Sequence, residues 1–161
     1  DINKVQSAQH YAQKSQLFWN CGQNCERTFI PVQQAGDLTR IDMVGRAAAY
    51  GDIDNDGDLD IVVTQVARKP QLFINNSEVG NWIGIKINSK KPIIGAKITV
   101  VTDQGTQVLH YSQTKSYLSQ VQLGQIIGLG HGKLMKIVVS YNNESKAFNK
   151  LGINHWNTIE F

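Results

Sequence analysis

The chain has 161 residues, of which 18% are charged and only three are proline, the composition of a folded protein with room for one good core or two small ones. No apolar run approaches the length of a membrane span. The net charge of +3 divides unevenly: residues 1–80 carry ten acids against seven bases, and residues 81–161 carry three acids against nine lysines and no arginine. Without arginine or an aromatic stacking platform, the basic half does not read as a nucleic-acid surface, and its lysines are expected as solvated charges on strand faces.

Residues 1–14 are polar and glutamine-rich, with Ile2, Val5, Ala8 and Ala12 at loosely helical spacing, which predicts a short helix or docking tail. Strands are expected at Ser15–Asn20 and Thr28–Val32, with a connecting loop over Gln33–Val44. Between the two strands Cys21 and Cys25 stand four apart, and no second pair accompanies them. That argues against zinc and for a local disulfide in an oxidising compartment, where it would rigidify a turn more than hold the fold together.

Gly51-Asp52-Ile53-Asp54-Asn55-Asp56-Gly57-Asp58-Leu59-Asp60 follows, running into the apolar strand Ile61-Val62-Val63. Five aspartates at alternate positions would repel one another strongly without a cation among them. Side-chain oxygens of Asp52, Asp54, Asp56 and Asp60 are spaced to converge on one centre, the carbonyl of Asp58 can add a backbone oxygen, and Gly57 supplies the sharp turn. Asn55 and the side chain of Asp58 are expected to face water. An all-oxygen shell with no Cys or His nearby makes Ca²⁺ the first choice, with Mg²⁺ or Mn²⁺ as alternatives. An EF-hand is excluded, because the loop's twelfth position is Val63 and its flanks read as strands. A metal-free acidic turn is the plain competing account.

Beyond the loop, Pro70-Gln71-Leu72-Phe73-Ile74-Asn75 echoes Ser15-Gln16-Leu17-Phe18-Trp19-Asn20, which suggests a repeat architecture such as propeller blades. Short strands are then expected at 82–87, 96–101, 106–111, 121–123, 134–140 and 158–161, with hairpin turns at Asp103-Gln104-Gly105 and Tyr141–Ser145, a pattern for a β-sandwich or small barrel. Gly128-Leu129-Gly130-His131-Gly132-Lys133 fails the phosphate-loop spacing and reads as a turn. His10, His110, His131 and His155 are scattered singly, without a partner at metal-ligand spacing. Asn75-Asn76-Ser77 and Asn143-Glu144-Ser145 fit glycosylation sequons.

The run Gly45 to Asp60 resembles the calcium-loop repeat of FG-GAP/VCBS propeller proteins. With Gly80-Asn81-Trp82-Ile83, Ile94–Val100, Ser116-Tyr117-Leu118-Ser119-Gln120 and Gly128-Leu129-Gly130, it is similar to the C-terminal part of the cartilage acidic protein/UnbV family. The resemblance implies an all-β chain: a tail at 1–14, a propeller-blade-like antiparallel segment with a calcium loop at 15–79, and a β-sandwich-like UnbV domain at 80–161. It carries the calcium ligands onto Asp52, Asp54, Asp56, Asp58 through its carbonyl, and Asp60, in secreted, periplasmic or cell-surface proteins. Family members carry several blades ahead of this segment, and this chain has room for little more than one. The expected function is a non-enzymatic calcium-binding extracytoplasmic module for protein interaction or assembly, self-associating through strand edges into an oligomer or filament. The alternatives are a carbohydrate-binding module using Trp19, Trp82 or Trp156, and a metal-dependent hydrolase built on the aspartate loop, for which only Arg46 and Arg68 are nearby cations in the sequence.

Overall fold

The computed structural model describes residues 2–21, 25–78 and 80–161. Among them the chain is all-β, as expected, with sixteen strands, a four-residue helix at Ile2–Val5 and a single 3₁₀ turn at Gly36–Thr39. The helical spacing of 1–14 therefore yields one turn only, followed by the two-residue strand β1 (Gln13–Lys14). A single turn fixes several dihedrals for few hydrogen bonds, and Val5 at its end is exposed, so nothing there drives the helix further.

The chain divides into two compact units, residues 1–48 with 62–73, and residues 49–61 with 74–161. In the first, β1 pairs with β4 (Asp42–Met43), and β2 (Leu17–Asn20) pairs antiparallel with β3 (Phe29–Val32). The β2–β3 ribbon carries the Cys21–Cys25 disulfide just past β2, where the Cys21 N–H donates to the Thr28 carbonyl at 2.8 Å. A further sheet has the order β5 (Gly45–Gly51), β6 (Asp60–Gln65), β7 (Arg68–Phe73). Its connections are too short for a crossover, so neighbouring strands run antiparallel. The two Gln-Leu-Phe copies thus lie at β2, in a two-stranded ribbon, and at β7, on a sheet edge.

The second unit is built on two sheets. One has the order β10 (Gly105–His110), β9 (Lys97–Thr102), β14 (Leu134–Tyr141), β15 (Glu144–Phe148). The other places β8 (Asn81–Asn88) between β13 (Gln125–Gly130), antiparallel to it, and β16 (Trp156–Glu160), parallel to it. Ile83 and Ile85 of β8, Ile127 and Leu129 of β13 and Ile159 of β16 meet Ile98 and Val100 of β9 and Ile137 and Val139 of β14 in one buried cluster. Alternate residues of each strand point the same way, so each sheet contributes one apolar face to a sandwich core.

Two expectations fail here. Residues 121–123 are not a strand, although Val121 is buried. Gly128-Leu129-Gly130 lies in β13, and the chain turns only after it. Ile127 and Leu129 are buried while Gly128 and Gly130 face outward. Glycine at the outward positions hid the alternation that polar residues would have displayed.

Candidate metal centre

The acidic loop belongs to the second unit. It leaves β5 at Gly51 and rejoins the sheet at Asp60, and between them the backbone reverses through Asn55 at φ 64° and Gly57 at φ 96°. Gly57 is required for a second reason. A Cβ there would lie 2.0 Å from Nε1 of Trp82, so only a glycine lets the loop rest on the indole. Trp82 is on β8, whose Ile83 and Ile85 face the sandwich core; its own side chain faces the other way and is 7% exposed. The loop therefore covers the outer face of a central strand.

Hydrogen bonds hold the loop in shape. The Asp56 N–H donates to Oδ1 of Asp52 at 3.1 Å, and the Asp58 N–H to Oδ1 of Asp56 at 3.0 Å. Asp60, 1% exposed, accepts from the Ile53 N–H at 2.8 Å and the Asn75 N–H at 2.9 Å, one on each carboxylate oxygen. These are charge-assisted bonds from backbone donors, the stronger kind.

Asp52, Asp54 and Asp60 are brought together, each offering a carboxylate oxygen within 4.8 Å of the others. Two oxygens on one calcium can stand about 5 Å apart at most, given calcium–oxygen distances of about 2.5 Å, so the three fit a single ion. Asp52 gives an independent sign. It is buried, and its Oδ2 has no hydrogen-bond partner. A buried carboxylate oxygen without a donor is costly unless a cation takes that place. These three aspartates can hold a metal ion.

The electrostatics agree. Burial, and then the carboxylates of Asp56 and Asp60, push the Asp54 carboxyl above its ordinary value. Asp58 is raised as well, first by burial and then by Asp56, against the Ser77 backbone hydrogen bond, which lowers it. The part of each shift that comes from neighbouring carboxylates is repulsion that a cation would relieve.

Asp56 is exposed, and its side chain caps the Asp58 N–H. Asn55 faces solvent as expected, but the Asp58 side chain does not. It is 5% exposed and accepts the Ser77 N–H on Oδ2 at 3.2 Å. Burial under the 74–77 segment, which spacing within the loop does not reveal, turns that carboxylate inward. Of the three tryptophans, Trp82 is buried, Trp156 is half-buried with Lys86 Nζ 4.9 Å from its ring centroid, and Trp19 is 58% exposed. Cys21 and Cys25 are bonded as expected.

Three participants went unread in the sequence. The backbone N–H groups of Asn75 and Ser77 bind loop carboxylates, and Oε1 of Gln122 accepts the Asp52 N–H at 2.7 Å. Backbone donors carry no residue-type signature, and Gln122 stands 70 positions from its partner.

Residues 86–160 match the family model described as ASPIC and UnbV. The match supports the UnbV part of the resemblance; the FG-GAP/VCBS likeness of the acidic loop rests on the loop's own residues. No curated protein matches the chain significantly. No helix among the described residues is long and apolar enough to cross a membrane, and the disulfide suits an oxidising, extracytoplasmic setting.

Proposed function

We propose that this chain is a non-enzymatic, calcium-stabilised module for protein interaction or assembly outside the cytoplasm. The observations that carry the reading are the convergence of Asp52, Asp54 and Asp60 and, in the first of them, a buried carboxylate oxygen with no donor of its own. Calcium is favoured over smaller ions because the donors are all oxygen and the loop resembles the FG-GAP/VCBS calcium loop, with Asp56 and the Asp58 carbonyl completing the shell. Outside the cell an affinity of about 10⁻⁴–10⁻³ M keeps such a site filled. The ion's part is structural: it neutralises the loop that covers Trp82.

The interaction surface belongs to the first unit. Leu17, Phe18, Trp19 and Phe29 are all exposed on the β2–β3 ribbon. A two-stranded ribbon is marginal by itself, and its apolar side chains and open edges suit a further strand or sheet. A second copy of this chain or a larger β protein supplies that cover.

Thermal unfolding with light scattering, in calcium and in chelator at several protein concentrations, tests both parts. The expected result is a melting temperature that rises with calcium, together with concentration-dependent oligomers. Unchanged melting on chelation would overturn the metal reading; a monodisperse monomer at high concentration would overturn self-assembly. Hydrolysis of a phosphoester or glycoside that depended on Asp54 would overturn the non-enzymatic reading.

A further inference from the structure

We infer that Gln122, in the segment between β12 (Ser119–Gln120) and β13, is a positioning residue for the cation site, and that it couples the ion to the β11 (Thr114–Ser116)–β12 hairpin. The inference rests on the proposed calcium site.

Gln122 grips the start of the acidic loop twice. Its Oε1 accepts the Asp52 N–H at 2.7 Å, and its own N–H donates to the Tyr50 carbonyl at 3.1 Å. Gly51, between these two partners, is what permits the approach. A Cβ on it would stand 3.1 Å from Cβ of Gln122 and 3.2 Å from Oε1, closer than ordinary contact. The result is that Asp52 is held at both ends. Gln122 fixes its backbone, and the Asp56 N–H fixes its Oδ1 at 3.1 Å, which leaves Oδ2 as the free oxygen. A ligand held this way loses little freedom when the ion arrives, and groups that orient a metal ligand without touching the metal commonly govern affinity.

The coupling runs the other way as well. The Val121 N–H, adjacent in the chain, closes the β11–β12 hairpin by donating to the Gln113 carbonyl at 2.8 Å. The hairpin tip holds Tyr117 and Leu118, which are 71% and 86% exposed, with Leu118 at a left-handed φ of 48°. An ion that fixes Asp52 also fixes residue 122, and so firms the base of this hairpin; linkage requires the effect to be reciprocal.

The test is calcium titration calorimetry on the full chain with three proteins: wild type, Gln122→Met, which keeps the length and removes the acceptor, and Gln122→Glu, which keeps an acceptor oxygen. We expect calcium affinity to fall about tenfold in Gln122→Met and to stay at or above wild type in Gln122→Glu. A residue with only a structural role would lower the melting temperature equally with and without calcium and leave the affinity unmoved, and that result overturns the inference. Wild-type protein that fails to bind calcium overturns the proposed metal site itself. Amide exchange in the wild type keeps the test decisive if Gln122→Met does not fold: calcium is expected to slow exchange at Val121, and no change there overturns the coupling.

Discussion

The two units bury their apolar residues very differently. The second encloses an eleven-residue cluster drawn from both sheets and from Ile93 and Ala96 ahead of β9, with Ile83, Ile85, Ile98, Val100, Ile137 and Val139 essentially inaccessible. In the first, among the described residues, Met43 and Val63 are the buried apolar side chains, while Leu17, Phe18, Trp19, Phe29 and Leu72 are exposed. Both have strands, so strand content does not distinguish them. The difference is that the second unit can fold two apolar sheet faces onto each other, and the first has only two-stranded ribbons and part of the β5–β6–β7 sheet. Burial of apolar area is the main source of stability, so the second unit has the larger share of it, and the exposed apolar side chains of the first are the surface proposed for a partner. The acidic loop lies in the unit with the large core, which is why the proposed ion is given a structural part.

Substitutions can break or sharpen this contrast. The largest effect is expected from Asp60→Ala, which removes a buried carboxylate and strips the Ile53 and Asn75 N–H groups of their acceptors. Loss of the two charge-assisted bonds is expected to cost about 3–5 kcal/mol in denaturant unfolding and to abolish calcium binding. Amide exchange should place the loss at residues 49–61 and 74–161; faster exchange confined to the first unit would break the contrast. Gly57→Ala comes next. Its Cβ would overlap the Trp82 ring at a φ of 96° that alanine disfavours, for about 2–4 kcal/mol. Normal stability there would mean that the loop does not rest on Trp82.

In chelator, pH should move stability in the direction opposite to that of a salt-bridged protein. Asp54 and Asp58 are held above the ordinary aspartate value of 3.8, so the folded state binds protons more readily than the unfolded state. Metal-free stability is therefore greatest at low pH with respect to these groups and is lost as pH rises from about 4 through the raised values. Calcium should abolish this decline. Parallel pH profiles with and without calcium would contradict the assignment. The smallest effect on unfolding is expected from Trp19→Ser, under about 0.5 kcal/mol because the side chain is already exposed. It should nonetheless lower light scattering at high concentration, since the apolar ribbon is the proposed contact.

The chain alone disclosed much of this. Alternating β-branched residues located β8, β9 and β14 to within a residue or two, because period-two alternation is a local consequence of a half-buried strand. The aspartate spacing marked Asp52, Asp54, Asp56, Asp58 and Asp60 as one candidate cation group, and the fold brings the carboxylates of Asp52, Asp54 and Asp60 close enough to hold an ion. The Cys21–Cys25 bridge was legible for the same local reason: the pair stands four positions apart.

Other features depended on long-range packing. Tertiary contacts turned the Asp58 side chain inward to the Ser77 N–H, set Gly57 against Trp82, made a strand of Gln125–Gly130 and brought Gln122 to Asp52 across 70 residues. Periodicity and loop chemistry involve residues within a few positions of one another, so they are visible in a string of letters. Burial, and the identity of a hydrogen bond's distant partner, depend on which surfaces the folded sheets bring together.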